Sequence, residues 1–122
     1  MSNGDQVFRV WWDEKSAVAR VDWLPGSEAG VEEARAVTAQ VVALGLGRVP
    51  ILVDMRDMLK LDRGAREHFT TSGDVASAVA LVARSPVTKM MANFFIGMQR
   101  GLFPVRVFTD MEPAVDWLGQ FR

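Results

Sequence analysis

The chain has 122 residues, carries 14 Lys plus Arg against 15 Asp plus Glu for a net charge of -1, and contains no cysteine. That length predicts one domain spanning residues 1–122, and a hydrophobic fraction of 49% supplies enough apolar surface for a core and excludes a disordered chain. Without cysteine there are no disulfides, thiolate nucleophiles or Cys-ligated metals, and near neutrality argues against nucleic acid or an anionic membrane as partner.

The opening Met1-Ser2-Asn3-Gly4-Asp5-Gln6 lacks the basic and apolar regions of a secretory leader. The longest apolar stretches, around 75–83 and 90–96, fall short of the roughly 20 residues that span a bilayer, so a cytoplasmic protein is expected. Residues 7–12 and 17–23 are rich in β-branched and aromatic side chains around the polar Asp13-Glu14-Lys15-Ser16, which predicts an antiparallel hairpin. In its second strand Ala17, Ala19, Val21 and Trp23 share one face and Val18, Arg20 and Asp22 the other. Ser27 is placed to cap the first helix, along which Val31, Ala34, Val37, Val41 and Leu44 recur at helical spacing, with Gly45 or Gly47 as the left-handed stop.

The short apolar run from Val49 to Val53, closed by Asp54, predicts a buried strand. Asp62 then caps a short helix running to about Thr71 and ended by Gly73, and the small apolar run 75–84 predicts a central strand covered on both faces. Ser85-Pro86 is a helix start, because the hydroxyl can accept from an orphan N–H and proline has none to leave unpaired. Val87, Met90, Met91, Phe94, Phe95 and Met98 form one apolar stripe on that third helix. Its burial would contribute on the order of 10 kcal/mol, at ~1.5 to 3 kcal/mol per side chain. Gly101 breaks the helix, 104–109 alternates as a last strand, and Asp110 caps a terminal helix carrying Ala114, Trp117, Leu118 and Phe121 inward. The order β-β-α-β-α-β-α-β-α predicts an α/β domain with a mixed, mainly parallel sheet flanked by helices. Ligands of such sheets dock where the strands' carboxyl ends open, here 54–64, 84–86 and 109–113.

Ile51-Leu52-Val53-Asp54 with its Met55-Arg56-Asp57 turn, the helix opening Asp62-Arg63-Gly64-Ala65-Arg66, and the tail from Ala92-Asn93-Phe94-Phe95 through Pro104-Val105-Arg106-Val107-Phe108 to Ala114-Val115-Asp116-Trp117-Leu118 carry a whole-chain resemblance. In this order they resemble the STAS family, the anti-sigma-factor-antagonist or SpoIIAA-like fold, and in particular its small stand-alone bacterial members. The resemblance implies a non-enzymatic regulatory or binding domain. It also implies a switch serine in an Asp-Ser-Ser-Gly-like turn after the central strand. The matching stretch here, Asp62-Arg63-Gly64, keeps the acid and has no hydroxyl, so the phosphoserine switch is not expected. Arg63 favours an anion at that helix start instead.

Asp54, Asp57 and Asp62 could surround a hard cation, yet strand end, turn and cap are ordinary places for Asp, and no metal or cofactor is expected. His68 is the single histidine and no nucleophile elbow accompanies it, so no catalytic residue is assigned. Arg56, Lys60, Arg63 and Arg66, interleaved with Asp57, Asp62 and Glu67, form either a solvated mixed-charge surface or a patch for an acidic partner or phosphate. The candidate partner- or anion-binding residues are therefore Arg56, Asp57, Asp62, Arg63 and Arg66. Adjacent Trp11 and Trp12 must point to opposite faces of their strand, which makes the hairpin a candidate homodimer or partner surface. Met90, Met91, Met98, Phe94 and Phe95 belong to the core or to a lipophilic pocket. Two functions follow: a non-catalytic module that binds an unknown protein partner through residues 55–66, or a domain that binds a small anionic or lipophilic molecule.

Overall fold

The computed structural model describes residues 6–71, 76–98 and 103–121. The expected roles of Gly73, Val75 and Gly101 lie outside them, as does the Met98 side chain. Strands β1 (Phe8–Asp13) and β2 (Val18–Trp23) form the expected hairpin, with Phe8 opposite Trp23 and Asp13 opposite Val18. Ala17, expected in the second strand, instead turns the chain with a φ of 56°. Parallel strands β4 (Val49–Asp54), β6 (Ala76–Val82) and β7 (Val105–Phe108) extend the hairpin into a five-stranded sheet of order β1-β2-β4-β6-β7.

Two short strands were not foreseen: β3 (Glu28–Ala29) pairs parallel with β5 (Lys60–Leu61) outside the main sheet. This pairing displaces Ser27 from its expected cap. Its backbone is engaged by Leu59 and Lys60, and its buried hydroxyl has no hydrogen-bond partner among the described residues. Helix α1 (Val31–Ala43) starts at Gly30, whose N–H donates to Glu33 Oε1 at 2.8 Å. It buries Ala34, Val37 and Val41, and Gly45 and Gly47 turn out of it at φ 73° and 69°.

Helices α1, α2 (Arg63–Thr71) and α3 (Pro86–Met98) cover one face of the sheet, over a core that includes Val21, Trp23, Ile51, Val79, Leu81, Met91 and Phe95. Helix α4 (Met111–Leu118), continued by a 3-10 turn at Gly119–Phe121, covers Leu52, Ala78, Ala80 and Val82 on the other face. β4 and β6 are thus dry on both sides, which their unbroken small and apolar residues permit. The same outer face of β1 and β2 carries Arg9, Trp11, Asp13, Arg20 and Asp22, beyond the reach of α4's core cluster.

Two expectations about helices are corrected. Asp110 stands at the N-cap of α4 with extended backbone, but its carboxylate does not bond the helix; it accepts from Arg84 Nη2 and Thr109 Oγ1, both at 3.3 Å. The apolar stripe of α3 is not buried as one unit. Met91 and Phe95 face the core, whereas Val87, Met90 and Phe94 are 48%, 65% and 52% exposed. The helix is rotated so that Thr88, Met91, Ala92 and Phe95 point inward. Thr88 holds that rotation by bonding the start of its own helix, and Ala92 is buried on the same inward side. The expected burial of six side chains therefore shrinks to two among the described ones.

Candidate functional site

The carboxyl ends of β4, β6 and β7 open onto one rim. Backbone bonds carry the ladder just past the strands, Met55 N to Val82 O at 3.0 Å and Ala83 N to Phe108 O at 2.9 Å. The following loops are therefore fixed relative to one another. At the end of β4, Asp54 Oδ1 accepts from Arg56 Nε at 2.9 Å and Oδ2 from Arg56 Nη2 at 2.8 Å, and the Arg56 backbone N–H adds a bond at 3.2 Å. Burial pushes the Asp54 carboxyl up, but the Arg56 hydrogen bonds and the charges of Arg56 and Arg20 outweigh it and hold the group below its ordinary value. Arg56, Asp57, Arg84 and Ser85 line an open polar recess, with Asp110 held to Arg84 at 3.3 Å beside it.

Ser85 joins this recess to α3. Its Oγ accepts from the Thr88 N–H at 3.0 Å, while Thr88 Oγ1 accepts from the N–H groups of Ser85 at 3.1 Å and Arg84 at 3.2 Å. The Thr88 N–H of the first turn is thereby satisfied inside the protein rather than offered to an anion. From here the exposed residues Val87, Met90 and Phe94 run at i, i+3 and i+7 along the outside of α3. The Arg66 guanidinium of α2 lies 4.8 Å from the Phe94 ring centroid. Rim and stripe thus form one surface, polar at the recess and apolar along the helix.

The five candidate residues do not converge on one point. Arg56 and Asp57 stand at the rim recess. Asp62 caps α2, its Oδ1 accepting from the Ala65 N–H at 2.9 Å. Arg63 pairs with Glu67 at 2.9 Å on the exposed side of the same helix. Arg66 donates from Nη1 to the Leu61 carbonyl at 2.8 Å, which ties α2 to β5, and packs on Phe94. Among the described residues no group of three or more His, Asp or Glu could hold a metal ion. His68 Nε2 lies 2.9 Å from Thr38 Oγ1, joining α2 to α1.

The hairpin tryptophans do separate. Trp12 packs against the helix-covered core, and Trp11 sits half-buried on the opposite face, donating from Nε1 to Asp22 Oδ2 at 2.7 Å between the guanidiniums of Arg9 and Arg20. Beneath α1, α2 and α3 lies an apolar cavity of about 100 Å³, lined among others by Val37, Met55, Phe69, Met91, Ala92 and Phe95. Missed by sequence reasoning were Arg84 as a rim cation, Thr88 as the clamp of α3, and the outward turn of Val87, Met90 and Phe94. The polar Thr88 inside an apolar stripe, three residues after Ser85, was the available signal.

Compared with known proteins, residues 11–122 match the family model described as a domain of unknown function, DUF7793. The chain belongs to that family. No curated protein matches it. Among solved structures, an anti-sigma factor antagonist from Mycobacterium paratuberculosis superposes with a TM-score of 0.65 at 14% identity, covering 97% of this chain and 99% of that one. An uncharacterised DUF3478 protein with a SpoIIAA-like fold from Shewanella loihica PV-4 gives 0.64 at 16% identity, over 97% and 98% of the two chains. The fold is therefore SpoIIAA-like, as the sequence resemblance implied.

Proposed function

We propose that this member of the DUF7793 family is a non-catalytic regulatory module that binds a protein partner through the surface running from the Arg56, Asp57, Arg84 rim along the outside of α3. One observation carries the reading: Val87, Met90 and Phe94 are about half or more exposed on one helix face, at 48%, 65% and 52%. A helix that stayed free in solution would place polar residues there. Met, Phe and Arg are the side chains enriched at protein interfaces, and Arg66 against Phe94 supplies the mixed character of such a patch. The mycobacterial neighbour's description as an anti-sigma factor antagonist supports a regulatory role. Binding here works without a phosphoserine switch, since Asp62-Arg63-Gly64 offers no hydroxyl at the start of α2. The test is affinity capture from cells of the source organism with wild type, Met90→Glu and Phe94→Glu. The proposal expects a protein recovered by wild type and lost with both variants, each still folded by circular dichroism; equal recovery by all three defeats it.

The cavity favours a second reading, a site for a small apolar molecule. Its walls are almost wholly apolar, so a site of about 100 Å³ is too hydrophobic to attract water and suits a hydrocarbon no larger than benzene. Saturable binding of xenon or benzene by wild type that Ala92→Met abolishes supports it. No binding by folded wild type rejects it.

A further inference from the structure

We infer that β1 is the interface for a second copy of this chain, joined antiparallel about a two-fold axis through Trp11. β1 is an edge strand: among the described residues nothing pairs with the side that faces away from β2. Soluble proteins usually blunt such an edge with charged side chains, lysine above all, or with proline or a bulge. The six residues Phe-Arg-Val-Trp-Trp-Asp hold no lysine or proline, and their register with β2 is continuous. Their two charges, Arg9 and Asp13, are of opposite sign and so can pair across a two-fold axis rather than repel a copy.

The hydrogen-bonding phase of the strand limits how a copy can dock. Leu24 N donates to Val7 O at 2.8 Å, which puts 7 and 24 at a bonded position of the ladder, and by alternation Arg9, Trp11 and Asp13 take the bonded positions opposite Asp22, Arg20 and Val18. The backbone groups of Phe8, Val10 and Trp12 are left pointing outward. A partner copy must oppose outward residues to outward residues and keep the two faces of the sheet in line, which permits only registers centred on one residue. Centring on Trp11 sets Val10 against the copy's Trp12 as the bonded pair, apolar against apolar on the helix-covered face.

On the helix-free face the same register sets Arg9 opposite the copy's Asp13, and Asp13 opposite its Arg9, in the closer non-bonded positions. Centring on Val10 or Trp12 instead would set charge against tryptophan. Charge complementarity thus selects Trp11, and it answers a need: Arg9 is exposed and has no ion pair among the described residues, its guanidinium resting 4.7 Å from the Trp11 ring. Asp13 already has Arg20 at 3.6 Å and the Ser16 N–H at 3.3 Å, a long and loose pair that leaves its carboxylate able to accept more. Asp22 is committed to Arg20 and Trp11.

The test is light scattering on Arg9→Asp, Asp13→Arg and their equimolar mixture. In either variant alone the facing positions carry like charges. In the mixture, both pairs become opposite. The inference expects a two-chain mass for wild type at micromolar concentration, a one-chain mass for each variant, and a two-chain mass restored on mixing. Because Asp13→Arg also faces Arg20 and could loosen the hairpin, a second probe uses Trp11→Cys. The parent has no cysteine, and positions on the axis lie at a separation a disulfide can bridge. Diamide, which accepts the two electrons and two protons, should convert this variant to a covalent dimer on a denaturing gel and leave Trp12→Cys largely without the cross-link. A one-chain mass for wild type, a mixture that stays monomeric, or Trp11→Cys that fails to cross-link overturns the inference. None of these results touches the α3 surface, which lies elsewhere on the molecule.

Discussion

Arg56 reaches back over one residue to seize Asp54 at both carboxylate oxygens, so the most conspicuous cation of the rim is half of a fork rather than a free charge. The pair is only partly exposed, 28% for the arginine side chain and 19% for the aspartate. Its consequence is a stiff end to β4: the turn that begins the candidate surface is fixed before any partner arrives.

That fork sets an acid dependence. The Asp54 carboxyl is held below its ordinary value, so its contribution to stability is fully present above its unfolded pKa, about 4, and is lost as pH falls through the lower folded value. Asp54→Asn should cost about 1 to 3 kcal/mol at neutral pH. Urea unfolding across the acid range should show the wild-type and variant curves converging below about pH 4. Curves that stay parallel would remove the electrostatic role.

Thr88, fully buried, clamps the start of α3. Thr88→Val keeps the shape and leaves the Arg84 and Ser85 N–H groups unpaired, for an expected cost of about 1 to 3 kcal/mol. Ser85→Ala should cost about 1 kcal/mol as a lost cap. The double variant should cost less than the sum, because both act on one network. Denaturant midpoints of the three proteins decide this, and strict additivity would contradict it.

The rotation of α3 predicts opposite responses from adjacent residues. Met91→Ala and Phe95→Ala, at buried positions, should each cost about 2 to 5 kcal/mol. Met90→Glu should stay within about 0.5 kcal/mol of wild type. A large loss from Met90→Glu in urea melts would place the outer stripe in the core after all.

The cavity gives a stability prediction apart from any ligand. At about 24 cal/mol per Å³, filling 100 Å³ is worth at most about 2 kcal/mol. Ala92→Met, a flexible filler, should raise the urea midpoint. A lowered midpoint would mean that the wall around Ala92 is already close-packed.

Strand and helix order was legible because the local signals agreed with the final packing. The run from Val49 to Asp54, the Asp62 cap, the Ser85-Pro86 start and the glycine stops after α1 all appear where local chemistry puts them. The β3–β5 pair was not legible, since two-residue strands carry no periodicity and exist only because distant segments meet. Neither was the orientation of α3. A stripe of six apolar residues is wider than the contact one helix makes with a sheet. Which half turns inward was decided by a buried threonine and a small Ala92 that periodicity does not weigh. The rim residues were legible as charges but not as pairs, because Asp54 with Arg56 and Arg84 with Asp110 form only once the loops are placed, whereas Arg63 with Glu67 follows from i,i+4 spacing on α2.

Amide hydrogen exchange on the protein alone and in complex with the partner recovered by affinity capture addresses the interaction surface most directly. Protection should rise at 84–97 and at the 55–57 turn, with β1 and α4 unchanged. Protection confined to other segments, with 84–97 exchanging as fast in the complex as in the free protein, would contradict it.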